Sequence, residues 1–281
     1  MNIAIKLGSL EELELLSYYK GPFKYYELPA KMLTEEALIR ELVEKGFKFN
    51  IHSITMHTEK SLMLAIESSC HYLELCRQNN CLNYILHGLV VKEIGQLDNT
   101  KIISDITKTL DEINRYALKL GIRCFLENGC FINSDMAQFA EIPSRSATHI
   151  RMADELNIGM VLDLGHASLS SKWYGQTLEE FLSEYIKTSK TPDIIHFSDN
   201  FKESDSHLAV GEGSADLRSY CRAIEMWPDA IMTVENFPEN IYKTLNWLIE
   251  RGDSVYRKSD VEDFCSVMGW DFEKETINES R

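Results

Sequence analysis

The chain has 281 residues, 44% hydrophobic and 26% charged, with only 14 Gly and 6 Pro. That composition is globular and excludes disordered and repeat classes. Lys plus Arg total 29 against 44 Asp plus Glu, a formal charge of -15, which argues against a broad nucleic-acid footprint while leaving room for a local basic groove. The seven cysteines, an odd number without a CxxC pair, read as reduced thiols rather than a disulfide framework. The opening MNIAIKLGSLEELELL lacks the basic region and long apolar run of a signal peptide, and no stretch approaches the ~18 apolar residues of a membrane span. A cytoplasmic location without membrane association is the expectation.

Short apolar runs alternate with longer helical patterns along the chain. Ile3–Leu7 reads as the first strand and Glu11–Tyr19 as a short helix. Phe23–Leu28 is followed by a helix over Lys31–Lys45, and Phe47–Ile51 ends at His52 before a helix over Glu59–Gln78. Leu82–Leu86 ends at His87, with a two-faced helix over Lys101–Leu120. Arg123–Leu126 ends at Glu127 and precedes the Arg145–Leu156 helix; Met160–Leu162 ends at Asp163 and precedes the Leu178–Thr188 helix. Ile194-Ile195 ends at His196, with Ala215–Met226 behind it; Ile231–Val234 ends at Glu235, and Glu239–Arg251 closes the cycle. Strands alternating with helices imply a parallel sheet. Eight such units suggest one α/β domain, a closed (β/α)₈ barrel over residues 1–252. No Gly-rich fingerprint follows the first strand, which weakens an open doubly wound sheet. Residues 253–281 are highly charged but contain Phe264, Met268, Trp270 and Phe272, so a C-terminal helical extension with a frayed end is expected.

The segment PDIIHFSDNFKESDSHLAVGEG, residues 192–213, concentrates His196, Asp205 and His207 at a strand end and in the loop behind it. Gly211 and Gly213 permit tight backbone turns there. His52, His87, His166, His196 and His207 all fall at or just beyond strand ends, and Glu127, Asp163 and Glu235 each terminate an apolar run. A carboxylate entering an apolar environment is costly unless paired, protonated or coordinated. In a parallel barrel these ends converge on one rim, so residues distant in sequence meet. Imidazole and carboxylate without thiolate suit Zn, Mn or Fe, with Co or Ni as alternatives. Asn128, Asn200 and Asn236 are placed to orient ligands. Glu27 ends the second strand and either reaches the site or pairs with a cation. Trp173 and Tyr174, expected in a long loop after Asp163, offer an aromatic cover for a sugar face.

The ordered motifs IHS, LHG, LEN, LDLGH, HFSDN, DSHLAVGEG and VENF resemble the xylose isomerase-like TIM-barrel superfamily, which includes sugar phosphate isomerases/epimerases and the endonuclease IV family. The resemblance runs from about His52 to Glu235. Its epimerase branch implies one divalent ion held by Glu127, Asp163, His196 and Glu235, with Glu127 and Glu235 exchanging a proton on opposite faces of a substrate carbon. It further implies that His166 acts on a substrate hydroxyl or enediolate, with His52, His87, Trp173 and Asn128 near a small carbohydrate-like substrate. The endonuclease IV branch implies three ions, adding His52, His87, His166, Asp205 and His207 as ligands, and phosphodiester cleavage. Three departures weigh against DNA repair. LGSLEELE replaces a Gly-His-rich opening, ELPAKML replaces a basic aromatic loop, and SITMHTEK lacks a wedging aromatic. The resemblance therefore implies a metal-dependent isomerase or epimerase, with one to three ions, nucleic acid disfavoured as a partner, and homo-oligomerisation left open.

Overall fold

The computed structural model describes residues 1–53, 56–57, 62–91, 99–134, 137–201, 204–251 and 255–270. Its strands are β1 (Asn2–Lys6), β2 (Tyr25–Pro29), β3 (Lys48–His52), β4 (Met56–His57), β5 (Asn83–Leu86), β6 (Leu89–Val91), β7 (Arg123–Glu127), β8 (Phe131–Ser134), β9 (Ala137–Ile142), β10 (Gly159–Asp163), β11 (Ile194–Phe197) and β12 (Ile231–Val234). Eight of them close a barrel in the order β1-β12-β11-β10-β7-β5-β3-β2. Every pairing in it is parallel, and Asn2 opposite Ile231 closes the ring. The eight strand positions read from the sequence are these eight.

Side chains alternate across a strand, so one set points into the barrel and the other toward the surrounding helices. Ile85, Phe125, Val161 and Ile194 pack with Ile231 as an apolar cluster separate from the main core. They are two residues short of His87, Glu127, Asp163 and His196 and share their face. Hydrocarbon therefore fills the barrel beneath a polar layer at its C-terminal mouth.

The other four strands form a second sheet, β4-β6-β9-β8, from segments that follow β3, β5 and β7. Sequence patterning does not register it, because the strands are short and two of them pair as an antiparallel hairpin. Two close approaches lock it to the barrel. A Cβ on Gly88 would lie 2.6 Å from the Ile142 carbonyl oxygen, and one on Gly129 would lie 2.3 Å from the Glu141 Cβ.

The helices begin where the chain supplies caps. Ser9 with Glu12, and Thr177 with Glu180, form reciprocal capping boxes. The helix expected over Lys31–Lys45 is broken into a 3-10 turn, Ala30–Thr34, and a helix, Glu36–Glu44; Lys31 is exposed. The loop expected after Asp163 is instead a helix, Leu164–Trp173, buried from Leu164 through Ser171. Buried on every side through Ser171, it has no separation of apolar from polar positions and shows no helical stripe in the sequence. The expected helix start at Glu59, and Phe272, lie outside the described residues. At the C-terminal end, helix Lys258–Val267 inserts Phe264 among Tyr19, Phe23, Tyr26 and Trp270.

Candidate metal centre

Each barrel strand carries, within two residues of its last paired position, a polar residue of the inward set: Lys6, Glu27, His52, His87, Glu127, Asp163, His196 and Glu235. All but Lys6 are buried. Asp163 ends β10 and also caps the next helix, its Oδ1 accepting from the His166 N–H at 2.6 Å. That double duty sets His166 one turn above the rim.

The loop behind β11 adds Asp205 and His207. It is pinned by the buried Asp199 carboxylate, which accepts backbone N–H bonds from Asn200 at 2.7 Å and from Gly211, Gly213 and Ala215 at 3.0 Å. A Cβ on Gly213 would lie 2.3 Å from Asp199 Oδ1, which explains the glycine. His207 sits in the left-handed region at φ 46°, a conformation uncommon for a non-glycine residue.

Glu127, Asp163, His196 and Glu235 each direct a ligand atom into one volume, all four atoms lying within 4.8 Å of one another. His196 Nδ1 is 2.6 Å from Glu235 Oε2, 3.5 Å from Glu127 Oε1 and 3.7 Å from Asp163 Oδ2. Its Nε2 is 3.0 Å from Glu27 Oε2. A neutral imidazole has one N–H, so it cannot donate at both ends. His196 Nδ1, Glu127 Oε1, Asp163 Oδ2 and Glu235 Oε2 make no hydrogen bond among the described residues. Buried lone pairs facing one another in this way are the arrangement that a cation resolves.

The neighbouring histidines repeat the pattern. His52 Nδ1 pairs with the Ser53 carbonyl, His166 Nδ1 with the Asn128 carbonyl and His207 Nδ1 with the Glu235 carbonyl, at 3.0, 3.0 and 2.9 Å. A carbonyl only accepts, so each Nδ1 carries the hydrogen and each neutral ring turns a bare Nε2 the other way. Those Nε2 atoms lie 3.0 Å from Glu127 Oε2 for His52, and 3.4 and 3.2 Å from Asp205 Oδ2 for His166 and His207. The donor set therefore fits divalent cations. His52, His87 and Glu127 form a further triad, as do Cys130, His166 and Asp205.

Electrostatics follow from this crowding. Burial opposes ionisation of Glu127 and Glu235, but the imidazoles around the first, and Lys6 with His196 beside the second, hold both well below the usual carboxylate range. Burial likewise opposes the charge on Lys6, yet Glu235, Glu27 and Glu127 raise its pKa. Burial pushes the Cys130 thiol far up, with nearby carboxylates adding to it.

The structure brings together all nine residues singled out on the rim: His52, His87, Glu127, Asp163, His166, His196, Asp205, His207 and Glu235. Asn128 takes a different position from the substrate contact expected of it. It is buried, donates from Nδ2 to the Asp163 carbonyl at 3.0 Å and accepts at Oδ1 from the Asp163 N–H at 2.7 Å. Its amide is thus committed to the Asp163 backbone and braces that candidate ligand. Asn236 spans the His207 and Leu208 carbonyls. Trp173 stacks on Phe131 with centroids 3.8 Å apart, and the residue is 41% exposed.

Two polar members were not singled out from sequence. Lys6 pairs with Glu235 and lies 3.6 Å from Glu27 Oε1; it is masked because Leu7 continues the apolar run. Glu141 comes from β9 and reaches His87, its Oε1 3.3 Å from His87 Nδ1. The signal that points to it is the glycine directly after His87 and the one two residues after Glu127.

A closed parallel barrel with a buried ring of carboxylates and imidazoles at its C-terminal mouth defines a class, that of (β/α)₈ barrels with a candidate cation site at the strand ends. The family profile for the xylose isomerase-like TIM barrel matches residues 14–251, and the chain belongs to that family. Two uncharacterized proteins of Methanocaldococcus jannaschii are similar in sequence. MJ1614 is 29% identical over 127 residues, 45% of this chain and 44% of that protein; MJ1311 is 24% identical over 157 residues, 54% and 50%. The chain thus spans about half the length of the curated relatives it matches.

Among solved structures, a D-tagatose 3-epimerase-like protein superposes with a TM-score of 0.67 at 17% identity, covering 96% of this chain and 98% of that one. The TTHB071 protein of Thermus thermophilus, soaked with ZnCl2, gives 0.64 at 16% identity, covering 89% and 97%. The 3-keto-D-glucoside 4-epimerase of E. coli gives 0.62 at 14% identity, covering 89% and 99%. At these identities the likeness establishes the fold. No described helix is long and apolar enough to cross a membrane.

Proposed function

We propose that the chain is a divalent-metal-dependent isomerase or epimerase acting on a small sugar or other polyhydroxylated carbonyl compound. The observation that carries this reading is the convergence of Glu127, Asp163, His196 and Glu235 on one cation-sized volume. Sugar epimerases among the proteins of like fold support it. When bound, a divalent cation there polarises a substrate carbonyl and its neighbouring hydroxyl, acidifying the proton on the carbon between them.

The chain's own groups supply the rest. Glu127 and Glu235 end strands separated around the barrel by β10 and β11, so their carboxylates flank the volume that a substrate carbon would enter. Both are held ionised, as a base requires. One removes the proton; the other, once it has taken up a proton from solvent, delivers that proton to the opposite face. The Lys6 ammonium beside Glu235 stabilises negative charge developing on substrate oxygen. His166 Nε2, turned away from its Asn128 anchor, meets a substrate hydroxyl, and the exposed part of the Trp173 ring covers an apolar sugar face. This reading takes residues 1–252 as the catalytic barrel, 253–281 as its C-terminal helical extension, and the cytoplasm as its location.

A second reading is a multinuclear phosphoester hydrolase related to endonuclease IV. It is favoured by the His52–His87–Glu127 triad, which shares Glu127 with the first cation volume. Two ions sharing one carboxylate could activate water and stabilise a leaving oxygen.

One experiment separates them. Zn- or Mn-loaded protein is assayed with a panel of ketoses and aldoses, by proton exchange from solvent deuterium, and with abasic oligonucleotides and small phosphodiesters. Carbon-bound exchange that falls about 10²–10⁴-fold in Glu235→Gln supports the first reading. Phosphodiester cleavage without exchange overturns it in favour of the second.

A further inference from the structure

The site's least expected member is Glu141, the only carboxylate that the added sheet is seen to bring to the rim among the described residues. It is 3% exposed. Its Oε1 lies 3.3 Å from His87 Nδ1, yet neither Glu141 Oε2 nor His87 Nδ1 makes a hydrogen bond among the described residues. A histidine donating to a carboxylate would aim its N–H at the oxygen; here the two lone-pair bearers approach without that alignment. His166 completes the group, and the three ligand atoms lie within 4.8 Å of one another.

The backbone is built to deliver this carboxylate. The Glu141 N–H donates to the Cys130 carbonyl at 3.0 Å, and the Gly129 N–H to the Pro143 carbonyl at 2.7 Å. Gly88 and Gly129 are the positions where a Cβ would collide with Ile142 and Glu141. His87 is fixed as well, its backbone N–H donating to Ser53 Oγ at 2.8 Å. Two glycines and two cross-strand hydrogen bonds thus seat a carboxylate in a dry place, with its Oε2 unpartnered among the described residues. Burying such a group is unfavourable, and a cation removes the penalty.

We propose that Glu141, His87 and His166 form a second divalent-cation site adjoining the Glu127/Asp163/His196/Glu235 set, with the added sheet contributing its carboxylate. An imidazole–imidazole–carboxylate site takes Zn, Mn, Fe or Co. The inference rests on the donor geometry and holds under either reaction proposed above. It explains why the loops after β5 and β7 are knitted into one sheet: they carry, between them, two of the three ligands.

The test is metal stoichiometry on the full-length protein, stripped with chelator, reloaded with ZnCl2 and freed of loosely held ion. Wild type is expected to retain at least two Zn per chain, Glu141→Gln one fewer, and Glu235→Gln to keep the Glu141 ion while its own site weakens. Anomalous scattering from a Zn-loaded wild-type crystal should place a peak within about 2.0–2.2 Å of a Glu141 oxygen. Because this needs no variant, the proposal stays testable if Glu141→Gln fails to fold. Unchanged stoichiometry in Glu141→Gln, or a wild-type peak only among Glu127, Asp163, His196 and Glu235, overturns the second site and leaves the first standing. No retained metal in wild type overturns both.

Discussion

Asn128 and Asp163 hold one another by a closed pair of hydrogen bonds, the Asn128 amide donating to the Asp163 carbonyl and accepting from its N–H. The residue after Glu127 therefore sets the height of Asp163, the candidate ligand on the next strand. Asn128→Ala removes both bonds and strands two buried backbone groups. At roughly 1–1.5 kcal/mol per bond, more where a partner is left unsatisfied, a loss of about 3 kcal/mol of stability is expected in urea unfolding. Metal affinity should fall as well. A variant as stable as wild type would remove the brace from this account.

Cation binding should release protons. Burial opposes protonation of His207, but the Asp205 carboxylate beside it raises its pKa to about 9. A proton on Nε2 occupies the lone pair a cation needs. Below that pH a cation ligated by His207 must displace a proton, so its apparent affinity should strengthen as pH rises from about 6.5 toward 9. Calorimetric titration with Zn or Mn in buffers of different ionisation enthalpy reads both the affinity and the protons released. Affinity independent of pH would remove His207 from the ligand set.

Lys6 should weaken cation binding while assisting turnover. Its ammonium pairs with Glu235 and stands near Glu27, repelling a divalent ion at close range. Lys6→Met is expected to bind Mn or Zn more tightly, by about tenfold, and to lose turnover under the isomerase reading. Weaker metal binding in that variant would make Lys6 a support for the ligands instead.

His149 provides a pH probe away from the mouth. It is fully buried between the Tyr185 hydroxyl and the Leu126 carbonyl, and burial lowers its pKa from 6.5 to about 4. The unfolded chain takes up this proton near pH 6.5, the folded chain only near 4. Its contribution is therefore complete above 6.5 and is lost as pH falls toward 4, by about 3 kcal/mol at 1.36 kcal/mol per unit. The difference in unfolding free energy between wild type and His149→Gln should narrow by that order across the interval. A constant difference would show that the imidazole does not titrate in this way.

Much of this was legible in the chain. His52, Glu127, Asp163 and His196 each follow apolar runs and mark the points where a strand leaves the hydrocarbon interior. Lys6 escaped notice because Ile5 and Leu7 flank it, so no polar stop appears. Glu141 belongs to a hairpin between two barrel units, and a rule built on strand–helix alternation passes over it. The helix Leu164–Trp173 was hidden because burial on all sides removes the contrast that makes a helix visible. Asn128 was seen as a neighbour of the ligands, but only three-dimensional pairing shows that its amide is spent on backbone.

The mouth ring takes one residue from each barrel strand, and the residue on one or both sides of every ring member is aliphatic: Ile5, Leu28, Ile51, Leu86, Leu126, Leu162, Ile195 and Val234. Gaining or losing a single residue within any strand would swap a donor atom for a methyl group and turn the donor toward the helices. Surface loops that bring no donor to the mouth can thus change length, while the barrel staves are held to a fixed residue count.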